Sequence, residues 1–441
     1  MYVAAAMVLG GGGSPAPGNE IILQVLFAAA IIAWVWMPCE GSEQRARIPA
    51  SLLIVGIVLL ALPLLQLVSL PPSIWQALPV RHLESATLSL VGEKESWQPL
   101  TISRPRTVAA FLAILPAVGV MWAAATRPVK DRRVLLLAIA TIGLVSALLG
   151  ALQMASGPEA FRLYNQSHRG WLTGFHANRN AAADALLIAS LALSAWVVSG
   201  RTRLEVRALA PLAAAQAVLF VALVMTGSRT GIALTIVTLA FHVLIFQKFA
   251  AGAGRRSLVG AMAMVGAVLI AIPVALSGTS RLASVAARFD VTGDARATLW
   301  QDTLAAILAF WPAGSGLGTF SSAVSPFEAP EHLDRFYPNR AHNDYFEFIL
   351  EAGVLAPLVM IGVAALIVML ARRSWRQSIR QRPILLFAIG TLAIVALHSI
   401  VDYPLRNMAL ACLAGVAAGM LVAAPRVAGG RAAEEGREQV R

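Results

Sequence analysis

Residues 335–370 read RFYPNRAHNDYFEFILEAGVLAPLVMIGVAALIVML. Arginine, histidine, asparagine and aspartate crowd the first part of this stretch, and a mostly apolar run follows and continues to Leu370. A run of about 20 predominantly apolar residues is long enough to cross a bilayer as a helix. Residues 347–370 therefore predict a membrane span with a polar cluster at its beginning.

The rest of the chain is similarly apolar. Of the 441 residues, 58% are hydrophobic and only 13% are charged, whereas soluble domains carry roughly 25% charged residues. The apolar runs lack the alternation that is typical of an outer-membrane β-barrel. We predict an all-α polytopic integral membrane protein with about 11 (10–12) transmembrane helices. The expected spans are 21–38, 50–70, 107–125, 134–153, 180–199, 208–226, 231–248, 258–276, 347–370, 383–401 and 407–424.

Basic residues orient the predicted helices. Lys and Arg concentrate in segments 126–133, 200–207 and 371–382 and in the tail from Arg426, which is typical of cytoplasmic segments. This orientation predicts a single transmembrane domain over 1–424 and a charged cytoplasmic tail over 425–441. A large loop at about 277–346 falls on the outer side, which in a bacterium is the periplasm. The net charge of +12 is mostly arginine placed by this topology and does not indicate nucleic acid. The first twenty residues contain no Lys or Arg, so we expect the first span to remain uncleaved.

The polar cluster before residue 347 combines a helix start with basic side chains. Asp344 and Glu347 have the spacing of a helix N-cap and its N3 partner, which predicts a helix from about residue 345. Histidine is the side chain best suited to accept a proton near neutral pH, so His342, just outside this helix, is a candidate base. The alternative is that His342 and Asn343 only cap and anchor the helix.

Two arginines of the same cluster, Arg335 and Arg340, lie close to this helix N-terminus. A helix N-terminus beside arginine side chains is a candidate anion site. A second candidate is Arg229 in the turn TGSRTG (226–231), because an arginine near membrane depth is costly unless it is paired or functional. Its alternative role is to extend toward the lipid headgroups.

Three further clusters border predicted spans. Arg296 opens a segment whose apolar residues share one helical face, which predicts a helix lying in the outer interface. In GFHANRNAAADALL (174–187), Asn178 and Asn180 border a span, and Asp184 lies one turn inside it, where we expect an arginine partner. In HSIVDYPLRN (398–407), His398, Asp402 and Arg406 recur at helical spacing. They form either a functional cluster or a structural Asp402–Arg406 ion pair.

In this order the motifs resemble the O-antigen ligase and polymerase family of bacterial inner membranes. The resemblance rests on GFHANRN, on GSRTG and on a large loop between later spans. That loop contains R-x3-W (Arg296, Trp300) and P-x-G-x-G-x-G-x-F (312–320), and it ends with AHNDYFEFILEAGV (341–354). The element HSIVDYPLR completes the pattern, which covers roughly residues 100–424.

The resemblance implies a multi-pass glycosyltransferase whose active face is periplasmic. Members move glycans from undecaprenyl diphosphate to the lipid A core, to a growing glycan or to proteins, without a nucleotide sugar, metal or cofactor. The family's essential histidine falls on His342, and the arginine that holds the diphosphate in its Ser-Arg turn falls on Arg229. The arginine of its R-x3-W motif falls on Arg296, which we also expect to bind the diphosphate. Arg335 and Arg340 are assigned to the diphosphate by proximity. The expected supporting residues are Asn178, Asn180, Asp184, Asn343, Asp344, His398 and Asp402.

The expected partners are therefore a lipid-linked glycan donor, a lipid A core or glycan acceptor and membrane lipids. We expect a direct displacement that inverts the configuration at the anomeric carbon. Two other classes stay open. A small-anion transporter usually shows internal repeats and broken helices at the membrane midplane, whereas the polar residues here cluster at one face. A structural subunit of a polysaccharide export complex would not need the histidine and arginine set.

Overall fold

The computed structural model describes residues 1–13, 17–36, 47–201, 206–247, 296–332, 337–377 and 379–425. Several sequence predictions lie wholly or largely outside these ranges. They are the span at 258–276, the first part of the large loop up to 295, Arg335 and the tail beyond 425.

The described residues fold mostly into helices, which agrees with the predicted all-α class. Two short strands, β1 (Ser69–Leu70) and β2 (Gln98–Pro99), pair antiparallel. The helices of the first half are α1 (Tyr2–Leu9), α2 (Pro17–Trp36), α3 (Ala50–Leu67), α4 (Pro72–Trp75), α5 (His82–Leu90), α6 (Arg104–Ala125), α7 (Val129–Ser156) and α8 (Arg179–Ser199). Those of the second half are α9 (Val206–Met225), α10 (Arg229–Phe246), α11 (Arg296–Phe310), α12 (Phe320–Val324), α13 (Asp344–Ala352), α14 (Leu355–Gln377), α15 (Arg382–His398) and α16 (Met408–Met420).

Six of the described helices are long and apolar enough to cross a membrane: α3, α6, α7, α8, α10 and α14. Shorter apolar stretches lie within α2, α9, α15 and α16. These helices are those of a multi-pass membrane protein. The predicted number of eleven spans is not confirmed, because four of the apolar helices are shorter than expected and 258–276 is not described.

The core is organised around α8, whose apolar window is 89% buried. It packs against α7, α9, α10 and α15. Small side chains allow this close approach: a Cβ at Gly143 would lie 2.2 Å from the Cβ of Ala189. On the other side of the bundle, Gly415 of α16 packs directly on the backbone of α6 at Ala117. Close packing through small residues is the usual way in which membrane helices associate.

The predicted span at 347–370 is wrong in one respect, because the structure divides it into α13 and α14. The break is at Gly353, whose φ of 55° is unfavourable for a side chain. A Cβ at this position would also lie 2.0 Å from the carbonyl oxygen of Pro312. The loop that follows α11 therefore crosses the chain at this point, where Val354 N donates to Pro312 O at 2.9 Å.

Candidate active site

His342 lies immediately before α13, on a backbone that is fixed from both sides. Asn343 caps α13 by accepting hydrogen bonds from the backbone of Tyr345 and Phe346, both at 3.0 Å. The cap is therefore one residue earlier than the predicted Asp344. From α11, the indole of Trp300 donates to the carbonyl oxygen of Ala341 at 2.9 Å, so the R-x3-W segment contacts the residue that precedes His342.

The imidazole of His342 is paired with a carboxylate from a distant part of the chain. Its Nδ1 lies 3.0 Å from Oδ1 of Asp402, which is buried while the His342 side chain is 32% exposed. The other carboxylate oxygen of Asp402 accepts a hydrogen bond from Asn180. The ring of Tyr403 packs edge-on against His342 at a centroid distance of 4.9 Å. An imidazole held at Nδ1 by a buried carboxylate presents Nε2 as its proton-accepting atom.

Asp402 is ionised in this arrangement. Burial by itself would raise the pKa of its carboxyl, but the hydrogen bond and charge of His342, together with His398 and Asn180, lower it to about 2. A fixed negative charge beside His342 stabilises the imidazolium that forms when the ring accepts a proton.

The two predicted asparagines at the beginning of α8 hold this pair in place. The side chain of Asn178 caps the helix by accepting from Asn180 N at 2.8 Å. Its amide reaches the hydroxyl of Tyr403 at 3.4 Å. Asn178 therefore fixes the first turn of α8, from which Asn180 contacts Asp402.

A second carboxylate–imidazole pair lies deeper in the bundle, where Asp184 of α8 meets His398 of α15. Oδ1 of Asp184 is 2.6 Å from Nδ1 of His398, and both side chains are 1% exposed. The expected arginine partner is wrong here, because α8 and α15 pack side by side and bring histidine to the carboxylate. Arg296 lies within electrostatic range of the His398 ring.

Arg406, four residues after Asp402, is surrounded by three acidic side chains of α13. Its guanidinium is 2.7 Å from Glu351, 3.4 Å from Glu347 and 3.7 Å from Asp344. Burial would lower the pKa of Arg406, but these carboxylates raise it, so the arginine stays charged. The possible Asp402–Arg406 ion pair is not formed, because Asp402 faces His342 while Arg406 faces α13.

Arg340 joins the same acidic cluster. It donates to Oε1 of Glu347 at 2.9 Å, and the second oxygen of Glu347 accepts from the backbone of Ala341 at 3.1 Å. Part of the positive charge that the sequence assigned to an anion site is therefore balanced within the protein. The pair also fixes the backbone on which His342 stands.

The two arginines of the family motifs begin helices. Arg229 is the first residue of α10, directly after the capping residue Ser228, and it is half-buried. Its turn lies near the start of α8, since a Cβ at Gly231 would meet the Cβ of Ala183 at 2.5 Å. Arg296 is the first residue of α11 and is also half-buried. Outward-facing Leu304 and Leu308 give α11 an apolar exposed side, whereas its location in a membrane interface stays a prediction.

Residues 214–360 match the family model described as O-Antigen ligase. This third of the chain resembles an O-antigen ligase domain. The resemblance predicted from the motifs is thereby confirmed, and the matched region contains Arg229, Arg296 and His342. No curated protein is similar enough to the chain to count as a match.

The O-antigen ligase domain does not contain the whole of the site. Asn180 comes before the matched region, and Asp402, Tyr403 and Arg406 come after it. Glu347, Glu351 and Tyr403 were not predicted from the sequence as residues of this site. A signal for the two glutamates was present, because acidic residues four positions apart in an apolar segment share one helix face and need a cation.

Proposed function

We propose that this chain is an O-antigen ligase that transfers a glycan from undecaprenyl diphosphate to a hydroxyl group of the lipid A core, at the periplasmic face of the bacterial inner membrane. The match to the O-antigen ligase family supports the reaction class. The observation that carries the mechanism is the pairing of His342 Nδ1 with buried Asp402 at 3.0 Å.

In this reaction Nε2 of His342 accepts the proton of the acceptor hydroxyl as its oxygen attacks the anomeric carbon. The bond between that carbon and the phosphate oxygen breaks, its electron pair leaves with the diphosphate, and the configuration is inverted. Asp402 stabilises the imidazolium, since its carboxylate remains ionised. A proton transfer by a positioned base typically contributes a factor of about 10² to 10⁴ to the rate.

Arg229 and Arg296 would hold the diphosphate and stabilise the charge that develops as it leaves. Arg229 stands at the first residue of the eighteen-residue helix α10, where backbone N–H groups also favour an anion. Arg335 and Arg340 are further candidates, and the ion pair of Arg340 with Glu347 gives it a second task in the protein. The lipid tail of the donor would remain in the bilayer beside the apolar helices, which explains why a polar cluster begins a hydrophobic segment.

The test is a transfer assay with the full-length protein in lipid vesicles, supplied with undecaprenyl-diphosphate-linked glycan and lipid A core. We expect His342→Ala to lower the transfer rate by at least about 100-fold. The matched control is His82→Ala, because His82 is an exposed histidine at the beginning of α5. Unchanged glycan ladders in His342→Ala would contradict the assignment.

The products of the same assay distinguish ligase from polymerase. A ligase attaches the supplied glycan to the lipid A core. A polymerase of the same family lengthens the glycan while it remains on the lipid carrier. If only carrier-linked products grow, the acceptor in this proposal is wrong and the reaction class stands.

A further inference from the structure

The N-terminal segment Leu9–Gly13, with the sequence LGGGG, is packed into the protein. Runs of glycine usually behave as flexible linkers. Here the carbonyl oxygen of Gly10 accepts from Ala409 N at 3.1 Å, and that of Gly11 accepts from Ala177 N at 3.0 Å. The hydroxyl of Tyr164 donates to Leu9 O at 2.7 Å. The segment therefore joins the loop before α8 to the beginning of α16.

Glycine is required here by close approach of other backbone. A Cβ at Gly10 would lie 2.9 Å from Ala409 N, and a Cβ at Gly11 would lie 2.2 Å from the carbonyl oxygen of Phe175. Distances below 3.0 Å cannot be accommodated unless one of the two contacting backbone segments moves. The path of this segment is thus fixed by the loop that leads to Asn178 and by the beginning of α16.

The last residue of the segment reaches the site itself. A Cβ at Gly13 would lie 3.1 Å from Cε2 of Tyr403. Gly13 and Tyr403 also line a small cavity together with Asn178, Asp184 and Asp402. Tyr403 also packs against the ring of His342, at a centroid distance of 4.9 Å.

We propose that Leu9–Gly13 is a positioning segment for His342, in which Gly13 leaves just enough room for the Tyr403 ring that packs against the imidazole. A side chain at position 13 displaces that ring toward His342 and Asp402. This inference rests on the proposed function for its effect on catalysis, but the placement of the two rings can be measured without any reaction.

The first measurement is a magic-angle-spinning NMR spectrum of the full-length, histidine-labelled protein in lipid bilayers. Because Tyr403 packs on His342, we expect Gly13→Ala to shift the ring signals of His342. Gly18→Ala is the matched control, since a Cβ at exposed Gly18 meets no atom within 4 Å. Unchanged His342 signals in Gly13→Ala would overturn the proposal, whatever the activity of the protein.

The second measurement is the transfer rate of Gly13→Val, alone and combined with Tyr403→Leu. Displacement of a catalytic group by about 1 Å can cost up to 100-fold, so we expect a loss of roughly 10- to 100-fold in Gly13→Val and no loss in Gly18→Val. If Gly13 acts through Tyr403, valine at position 13 should cost less than about twofold once the ring is already absent. An equal loss in both backgrounds would contradict this route.

Failure of the proposed function can be distinguished from failure of the positioning proposal. A wild-type protein that transfers no glycan contradicts the proposed function and leaves the NMR result to decide the positioning. If Gly13→Val does not fold, Gly13→Ala supplies the rate comparison, because its Cβ needs only a shift of a few tenths of an ångström.

Discussion

Nδ1 of His342 lies 3.0 Å from Oδ1 of Asp402, a residue sixty positions further along the chain. His342 lies just before α13, while Asp402 lies in the turn between α15 and α16. The pair therefore exists only when these elements are assembled. Its geometry determines which nitrogen of the imidazole accepts a proton.

Replacing Asp402 by asparagine should strongly reduce transfer. The amide keeps the shape of the side chain, but it removes the charge that stabilises the imidazolium and no longer selects the same tautomer of His342. We expect Asp402→Asn to lower the rate by about 10² to 10⁴, measured with lipid-linked glycan in vesicles. Asp302→Asn is the control, because Asp302 forms a similar pair with His332 at 2.9 Å outside the proposed site. Equal rates in the two variants would show that the Asp402 carboxylate is not needed.

The backbone of His342 predicts an unusual order of stability. Its φ of 49° is in the left-handed region, which costs a residue with a side chain about 1 kcal/mol relative to glycine. His342→Gly should therefore be more stable than His342→Ala by about 1 kcal/mol, although both lack the imidazole. At exposed, helical Thr87 the order should be reversed, because alanine favours a helix over glycine by about 1 kcal/mol. Unfolding in mixed micelles measures the stability of the glycine and alanine variants at both positions. If the same variant is the more stable one at both positions, the left-handed backbone of His342 is not strained.

The buried ion cluster predicts a large loss of stability on removing its cation. Arg406→Met leaves Glu351 and its two acidic neighbours buried without their guanidinium, which should lower the free energy of unfolding by about 3–5 kcal/mol. Arg169→Met is the matched control, since its ion pair with Glu159 has side chains that are 54% and 65% exposed. Exposed pairs contribute about 0–1 kcal/mol. A similar small loss in both variants would mean that the cluster is hydrated.

Asp344 predicts a dependence of stability on pH. Burial raises the pKa of its carboxyl to about 7, although the charge of Arg406 acts in the opposite direction. The folded protein therefore binds this proton more tightly than the unfolded chain, whose ordinary pKa is about 4. Its contribution to stability is fully present below that ordinary value and is lost as the pH rises toward 7.

We accordingly expect the wild-type melting temperature to decrease between pH 5 and pH 7, and the decrease to be smaller in Asp344→Asn, which cannot titrate. Asp131→Asn, at an exposed position near the beginning of α7, should show the same decrease in melting temperature with pH as the wild type. If the melting temperature of Asp344→Asn decreases between pH 5 and pH 7 as much as that of the wild type, the Asp344 carboxyl does not titrate in this range.

Local pattern was sufficient for the elements that hydrophobicity and capping specify. Apolar runs predicted helices that the structure has, within a few residues, at α3, α7 and α8. The prediction was less accurate where a contact between distant residues decides the backbone. The run after residue 347 reads as one span, but Gly353 turns the chain because the backbone at Pro312 crosses it. Helix α1 was missed, because its eight residues are too few to be recognised as a span.

The charged residues show the same contrast between what local sequence specifies and what contacts between distant residues specify. Composition and motif order by themselves determined the helical membrane class and the resemblance to the O-antigen ligase family, because hydrophobic length and side-chain type are local properties. Only the tertiary structure decided that Asp402 holds His342, that His398 rather than an arginine meets Asp184, and that Arg406 faces the glutamates of α13. Burying a charge is favourable only beside a compensating group, and which group lies near is set by the packing of α8, α13 and α15, which are separated in the chain.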